Sequence, residues 1–454
     1  MMRRGFDVLH PRVCWLGPHG TLIFEFPLTE AMAAVLYKLG GVHLYWDRLI
    51  SVGFFVIAAF YLHRLVRRMA PPRAAWLATL AYLAFPLGQV YSRSAQPDFA
   101  ATAFVHAFLF HAIAAAEGRS SVHAVLSALA GSLAALVKGP YLIAVLPPLA
   151  FGALAIGDSG VMLLLLLTVA IPAGVFWVWR RWVDQVNAGA PDWSFLPGWY
   201  REVNPTWWYF GTTEQRMQPG LWETLGHRVL RHVLTVPGAI LAAAGVLAGR
   251  ARMQTRIDPR GFGVVWLAGV AVYVVIFFNL NVVHTYYQIP VLAPLALLVG
   301  IGADGAWARL PRWLPIGPLV FVAFVVMALL APAQLGYYQP DWLRVEAARE
   351  IAAHVPDQDL LVACDHASGY SDPRLLARAD RVGWSLAVKD LTPGRLAKLR
   401  DLGARWVAVV TDPGHPDLQA PAFLAAARTL RVPVVHAGQP IGTLELYRLT
   451  PAPR

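Results

Sequence analysis

The sequence predicts an all-α polytopic membrane protein that carries a small C-terminal α/β domain. Hydrophobic residues fill 57% of the 454 positions and charged residues only 14%, whereas soluble domains average about 25% charged residues. Long apolar runs recur over the first three quarters of the chain, and basic residues lie in the short connections between them. These features disfavour a soluble enzyme and exclude a disordered chain, and two cysteines are too few for a disulfide scaffold.

The apolar runs are long enough to cross a bilayer, which takes about 20 residues per helix. Ten stretches are predicted as spans: 49–66, 74–90, 99–117, 122–137, 140–156, 160–179, 232–249, 262–279, 286–303 and 315–335. The fourth and fifth are short and are separated only by Lys138, Gly139 and Pro140. These two spans could therefore be thinner than the others, tilted or partly re-entrant.

The net charge of +11 is informative mainly through the positions of the cations. Arginines cluster in the connections at 64–73, 250–260 and 309–312. Under the positive-inside rule these connections are cytoplasmic. The basic residues do not alternate with aromatic residues on one soluble face, so nucleic acid is not an expected partner.

Alternation of the spans then assigns the remaining connections to the outer side of the membrane. The outer segments are 1–48, 87–98, the turn at Lys138, the long loop 181–231 and the connection 279–287. The loop 181–231 is rich in Trp, Tyr and Phe, which is typical of an interfacial helix; a lid that stacks on sugar or isoprenoid is the alternative.

Three domains follow from these assignments. Residues 1–48 form an outer loop with an interfacial helix, 49–335 the transmembrane domain with its outer loop, and 336–454 a soluble α/β domain. The last is predicted from alternating elements. Helices are expected at 341–353 and 395–402, and strands at 360–364, 406–411 and 432–436.

Three glycines have the spacing of a cofactor-binding motif, but the segments around them do not fit that motif. Gly300, Gly302 and Gly305 have the spacing of a dinucleotide-binding loop, but that loop must join a strand to a helix. Here the glycines close an apolar span. We interpret them as helix-packing residues.

The residues that could carry chemistry lie in the outer segments, where a polar site can form at the membrane surface. Asp98 follows a proline and could simply cap a helix. Lys138 precedes Gly139 and Pro140, which fix its approach, and it could otherwise be an interfacial cation. The candidates are Glu25, Arg93, Asp98, Lys138, His284, Tyr286 and Tyr287.

In these motifs the chain resembles the polytopic glycosyltransferases of the GT-C type that use lipid-phosphate sugars. This group covers protein O-mannosyltransferases and bacterial lipid A aminoarabinose transferases. The resemblance extends over most of the chain. It rests on five segments in their order: 25–28, 46–49, 92–98, 138–140 and 284–290.

The resemblance implies transfer of a sugar from a polyprenyl-phosphate donor to a lipid, glycan or protein acceptor at the outer face of the cell membrane. It implies catalytic roles for Asp98 and Glu25, since a carboxylate can take the acceptor proton. Donor-phosphate binding is implied for Arg93, Lys138, His284, Tyr286 and Tyr287. A divalent metal held by Asp98 and His284 is the alternative source of positive charge.

The chain departs from the family at its start. Members of the family have a first span followed by an acidic motif that usually holds the catalytic base, and this sequence begins downstream of that point. We therefore expect an upstream helix to be missing. An N-terminally truncated, inactive relative and a membrane transporter or flippase are the alternative functions.

Overall fold

The structure is a computed structural model that describes residues 7–43, 45–157, 159–196, 205–247, 255–309, 316–365, 372–414 and 419–449. It divides into two compact units. One consists of Glu25–Trp182 and Pro205–Tyr338, and the other of Met1–Phe24, Val183–Asn204 and Gln339–Arg454.

The first unit is helical. Its helices are α1 Leu28–Gly40, α2 Tyr45–Met69, α3 Pro72–Ala84, α4 Pro86–Tyr91, α5 Asp98–Gly118, α6 Ser121–Lys138, α7 Leu146–Ile156, α8 Ser159–Ala188, α9 Pro205–Phe210, α10 Thr213–Arg216, α11 Pro219–Val229, α12 Thr235–Leu247, α13 Pro259–Ile276, α14 Phe278–Val283, α15 Leu292–Arg309 and α16 Ile316–Gln334. The 3₁₀ segments Gly139–Val145 and Thr285–Val291 precede α7 and α15, and a π turn, Leu230–Leu234, joins α11 to α12.

Two helices form the centre of this unit. Helix α5 is buried along nearly its whole length and packs against α2 and α6, while α15 packs against α3 and α12. Both helices are apolar on all sides, which favours a central position over a surface one. The glycines of α15 serve this packing, because a Cβ at Gly302 would lie 2.0 Å from the Leu241 carbonyl oxygen and one at Gly300 2.6 Å from that of Ala74.

Within the described residues, seven helical runs are long and apolar enough to cross a membrane: Tyr45–Met69, Asp98–Gly118, Ser121–Ile156, Pro219–Leu247, Pro259–Ile276, Thr285–Ala308 and Ile316–Gln334. The predicted span 160–179 lies in the 30-residue helix α8. The predicted span 74–90 is divided at Phe85 between α3 and α4, because Pro86 cannot donate the backbone hydrogen bond that would continue the helix.

The run Ser121–Ile156 contains both short predicted spans. Lys138 lies beside Asp98 at the start of α5, whereas a Cβ at Gly152 would lie 2.5 Å from Ile113, near the end of α5. Helix α6 therefore runs antiparallel to α5 and ends beside its first residue. The chain reverses at Gly139, and α7 returns toward the last turns of α5.

The second unit contains a five-stranded sheet. The strands are β1 Leu360–Asp365, β2 Gly383–Ala387, β3 Ala404–Thr411, β4 Arg428–His436 and β5 Gln439–Arg448, and the helices α17 Trp342–His354, α18 Arg374–Arg378 and α19 Pro393–Asp401. The strand order is β2-β1-β3-β5-β4. The first three strands are parallel, and β5 pairs antiparallel with both β3 and β4.

The segment around Cys14 belongs to this α/β unit and protects an edge of the sheet. Gly17 donates its backbone N–H to Gly383, and Gly383 donates to Cys14. Strand β2 would otherwise present unpaired backbone groups. Both cysteines, Cys14 and Cys364, are buried and free.

Candidate active site

The centre of the candidate site is a buried ion pair between Lys138 and Asp98. The Lys138 Nζ lies 2.8 Å from Oδ1 of Asp98, and the two side chains keep only 5% and 2% of their surface exposed. The hydroxyl of Tyr141 donates a hydrogen bond to the same carboxylate oxygen. The other oxygen, Oδ2, is buried and has no hydrogen-bond partner among the residues that the structure describes.

The hairpin of α5 and α6 brings this pair together. Helix α5 has 21 residues and α6 has 18, so both rise about 30 Å from their shared turn. Asp98 begins α5 and Lys138 ends α6. Each charge is favoured by its own helix dipole, because an anion lies at an N-terminus and a cation at a C-terminus.

Glu25 is the second carboxylate of the site. Its Oε1 lies 3.7 Å from Nζ of Lys138. The next residue fixes this position, because Phe26 donates its backbone N–H to Leu136 at 2.9 Å and its ring packs edge-on against Trp179. The Glu25 side chain retains 37% exposure, so it is the carboxylate of the site that an incoming group can reach.

The surroundings of Glu25 change its acidity. Burial raises the pKa of Glu25 to about 7, and the negative charge of Asp98 adds to this rise while the ammonium group of Lys138 opposes it. A carboxylate with such a pKa exchanges its proton near neutral pH, which suits a general base.

Aromatic rings enclose the ammonium group of Lys138. The Nζ atom lies 4.4 Å from the ring centroid of Tyr287, 5.0 Å from that of Tyr286 and 5.5 Å from that of Tyr141. The negative faces of these rings stabilise a desolvated cation. The 3₁₀ segment Thr285–Val291 supplies two of the three rings.

His284 lies at the edge of this aromatic group. Its ring stacks on Tyr286 with centroids 5.1 Å apart, and the Trp208 ring of α9 meets it edge-on at 6.0 Å. Burial lowers the pKa of His284, and the cation of Lys138 lowers it further. The imidazole is therefore neutral at physiological pH, and it can accept or donate a hydrogen bond.

Arg93 makes no described contact with the other predicted site residues. It is exposed in the turn between α4 and α5, and its Nη1 donates to the hydroxyl of Tyr338 at 3.3 Å. No described contact joins it to Lys138. The other six predicted residues come together: Glu25, Asp98, Lys138, His284, Tyr286 and Tyr287.

Two residues of the site are not among the seven candidates that the sequence predicts. Tyr141 binds Asp98, and Trp208 covers His284. Tyr141 follows Lys138 by three residues and lies in the 3₁₀ segment Gly139–Val145. In a protein with 15 Tyr and 17 Trp, neither residue type marks a site by itself.

A divalent metal was the alternative source of positive charge. Within the described part of the chain, no three His, Cys, Asp or Glu side chains converge as a metal would require. The ammonium group of Lys138 already lies between the two carboxylates of the site. The site thus does not fit a metal held by Asp98 and His284, and we derive no step through one.

An apolar cavity of about 290 Å³ is lined in part by Gly139, the residue that follows Lys138. Its lining includes Phe108, Pro140, Leu146, Pro172 and Phe176, and it is almost devoid of polar surface. A hydrocarbon chain can enter such a space without the loss of a hydrogen bond.

Comparisons with known proteins show which family and which folds the chain resembles. Residues 24–179, about a third of the chain, match the family model described as dolichyl-phosphate-mannose-protein mannosyltransferase. The matched segment contains Glu25, Arg93, Asp98 and Lys138. A search of curated proteins gave no significant match.

Solved structures share the fold. ArnT from Cupriavidus metallidurans bound to undecaprenyl phosphate has a TM-score of 0.63 at 17% identity, over 98% of this chain and 91% of that one. AglB from Archaeoglobus fulgidus in complex with an inhibitory peptide and a dolichol-phosphate has a TM-score of 0.57 at 12% identity, over 91% of this chain and 64% of that one. The predicted fold class and the predicted resemblance to polytopic glycosyltransferases are confirmed.

Proposed function

We propose that this chain, which has the fold of the polytopic glycosyltransferases, transfers a sugar from a polyprenyl-phosphate donor to a lipid, glycan or protein hydroxyl at the extracytoplasmic face. One observation carries the proposal: the buried Asp98–Lys138 pair, with Glu25 beside it, stands at one end of a membrane helix bundle. A charged group of this kind is costly in such surroundings and is retained for function.

The proposed reaction is a single displacement. The acceptor oxygen attacks the anomeric carbon, the bond from that carbon to the phosphate oxygen breaks, and polyprenyl phosphate leaves with the electron pair. Glu25 takes the proton of the acceptor hydroxyl, because it is reachable and its pKa lies near 7. One in-line displacement inverts the configuration of the anomeric carbon.

Asp98 and Lys138 have a different part in this proposal. Both are almost completely buried, so neither can move far during the reaction. Asp98 holds the ammonium group in place, and that group offsets negative charge as the phosphate departs. Such preorganised charge is most effective where water is excluded.

The apolar cavity supports a lipid-linked donor. It lies next to Gly139, and the preceding residue is Lys138 of the ion pair. An isoprenoid chain in this cavity would bring its phosphate end close to the centre. The two solved relatives contain undecaprenyl phosphate and dolichol-phosphate, respectively, which supports the same donor class for this chain.

The arginine-rich end of the bundle supports the proposed orientation. Arg68 pairs with Glu117 at the end of α5 that lies opposite Asp98, and Arg73 pairs with Asp304. Arginine-rich connections face the cytoplasm under the positive-inside rule. The candidate site then faces outward from the inner or plasma membrane.

Sugar transfer by the purified full chain in nanodiscs tests the proposal. The nanodiscs contain a labelled polyprenyl-phosphate sugar as the donor, and a membrane extract supplies the acceptor. We expect label to pass to the acceptor with wild-type protein and not with Asp98→Asn, and to pass equally in the presence of EDTA. Uptake of the labelled donor into sealed vesicles without transfer would instead identify a flippase and refute the proposal.

A further inference from the structure

A second cationic group lies at the same end of the bundle as the candidate site. The segment around the π turn has the sequence His227-Arg228-Val229-Leu230-Arg231-His232. Arg228 and His232 are four residues apart and both are half-buried. Arg231 is exposed beside them.

The backbone of this segment is unusual. The π turn Leu230–Leu234 is followed by Thr235, which has φ +56° and ψ 172°. That conformation is almost confined to glycine, and the buried hydroxyl of Thr235 has no hydrogen-bond partner within the described structure. Single π turns in helices often occur at functional sites. The strained turn is therefore an independent sign of a site here.

Arg228 retains donors that the protein does not use. Its Nη1 donates to the carbonyl oxygens of Asn281 and Val282 at 2.9 and 2.8 Å. A guanidinium carries five N–H groups, and the donors on Nε and Nη2 have no partner among the described residues. These contacts fix the side chain and leave one edge of the guanidinium available to a ligand.

Two adjacent tyrosines connect this group to Arg93. Tyr337 shares a hydrogen bond with Nδ1 of His232 at 2.6 Å, and the hydroxyl of Tyr338 accepts one from Arg93 at 3.3 Å. No ion pair joins Arg93 or Arg228 to a carboxylate in the described part of the chain. The guanidinium groups of Arg93 and Arg228 therefore carry positive charge that no described carboxylate compensates, and His232 beside them is neutral because burial lowers its pKa.

The charge balance of the two groups differs. At the centre of the candidate site, one ammonium group faces the carboxylates of Glu25 and Asp98. Positive charge there is already compensated, so it offers an incoming phosphate little net attraction. The guanidinium groups of Arg93 and Arg228, by contrast, have no described carboxylate partner, and arginine matches phosphate geometry well.

Three tyrosine rings, those of Tyr91, Tyr286 and Tyr337, separate the arginine group from the ion pair and form a thin aromatic wall. The ring of Tyr91 lies 5.8 Å from that of Tyr286, which covers Lys138, and 6.4 Å from that of Tyr337, which binds His232. His284 stacks on the same Tyr286 ring. A lipid phosphate bound beside Arg228 would thus lie next to the centre without displacing the ion pair.

We infer that Arg228, with His232 and Arg93, binds the phosphate group of the lipid-linked substrate, while Lys138 remains paired with Asp98. This inference rests on the proposed function and deepens it. It assigns phosphate recognition to the guanidinium group of Arg228 and to the neutral imidazole of His232, neither of which belongs to the sequence motifs, together with Arg93.

Binding of a long-chain polyprenyl monophosphate to the full chain in phosphatidylcholine nanodiscs tests the inference. We expect Arg228→Gln to weaken binding about 10- to 100-fold, as the loss of a charged hydrogen bond requires. Arg93→Gln, at an exposed side chain whose described hydrogen bond goes to Tyr338, is expected to weaken it less. The matched control is Arg256→Gln, which removes an exposed arginine bound to the Ile156 carbonyl oxygen and should leave binding unchanged.

A double variant separates the two cationic groups. Asp98→Asn with Lys138→Gln removes the ion pair without leaving a net charge, and we expect it to keep polyprenyl-phosphate binding while losing transfer. Loss of binding in this double variant, with normal binding by Arg228→Gln, would overturn the inference. Failure of the wild-type protein to bind at all would instead refute the proposed function.

A competition experiment identifies the source of the phosphate. Nanodiscs with phosphatidylglycerol present the phosphate of an ordinary bilayer lipid to the same cations. We expect them to reduce polyprenyl-phosphate binding by no more than about twofold, as weak surface electrostatics permit. Complete displacement would show a general anionic-headgroup site and would refute the substrate assignment.

Discussion

At the scale of single residues, the two carboxylates of the site differ in their access to solvent. Asp98 has 2% of its side chain exposed and Glu25 has 37%. They share one cation but cannot share one role, because only Glu25 can meet a substrate hydroxyl directly. This difference in exposure assigns proton transfer to Glu25 and a fixed electrostatic role to Asp98.

The pKa of Glu25 predicts how transfer depends on pH. Burial raises this pKa to about 7, and the base acts only when ionised. As pH rises through 7 the ionised fraction grows, so kcat/KM for transfer should rise with a midpoint near pH 7. Glu25→Gln should lower the transfer rate by about 10²- to 10⁴-fold and remove the rise of kcat/KM near pH 7.

The control for this prediction is Glu117→Gln, because Glu117 lies at the other end of α5 from Asp98 and pairs with Arg68. Its profile should match that of the wild type. A wild-type profile that is flat from pH 6 to 8, measured where the protein stays folded, would refute the role of Glu25.

The buried pair predicts non-additive effects on stability. Asp98→Asn or Lys138→Gln alone leaves one buried group without its partner, which costs about 3–5 kcal/mol. The double variant should be destabilised by less than the sum of the single changes. Unfolding of the purified protein in detergent, monitored by its tryptophan fluorescence, measures the three free energies.

A half-exposed pair provides the comparison. Arg68 and Glu117 retain 31% and 17% of their side-chain surface, so their coupling should be smaller. Equal coupling energies for the two pairs would contradict the view that burial makes the Asp98–Lys138 pair strong.

At the scale of elements, the sequence predicted most helices because their apolar runs are long. The α/β unit was less predictable. Strand β2, Gly383–Ala387, is short and fully buried at its first four residues, so it lacks the alternation that marks a strand. Strand β5 contains Pro440 and Gly442 near its start, and its pairing depends on contacts distant in sequence.

The residues of the site were likewise predictable only in part. Glu25, Asp98 and Lys138 were predicted together because all three lie in predicted outer segments and in the motifs that carry the family resemblance. Arg228 and His232 were not singled out, since basic residues before a span are ordinary in membrane proteins. Their distinction comes from the π turn and from Tyr337, which only the folded chain brings to them.

The glycines of α15 predict where two helices are in closest contact. A Cβ at Gly302 would lie 2.0 Å from the Leu241 carbonyl oxygen of α12, whereas one at Gly305 would have no atom within 4 Å. Gly302→Ala should force the helices apart and destabilise the protein by about 1–3 kcal/mol. Gly305→Ala should be neutral or slightly stabilising.

The two alanine variants are compared by thermal unfolding in the same detergent. An equal melting temperature for both would show that α12 and α15 are not in close contact at Gly302. The same pair also tests the excluded cofactor reading, because a dinucleotide-binding loop would be sensitive to substitution at both glycines.

At the scale of the whole molecule, function depends on which face of the membrane the site occupies. Helix α5 connects the two ends, with Asp98 at the site and Glu117 beside the arginine-rich end. Fixing the direction of this one helix therefore fixes the orientation of the bundle and the compartment of the acceptor.

Cysteine labelling measures that direction. Ala95, before α5, is exposed, and Gly118 at its end is also exposed. The two native cysteines are buried and free, and replacing them with serine or alanine gives a background without thiols. In intact cells, an impermeant maleimide should label Ala95→Cys and should label Gly118→Cys only after permeabilisation. The reverse pattern would place the site on the cytoplasmic side, where an acceptor outside the membrane could not reach Glu25.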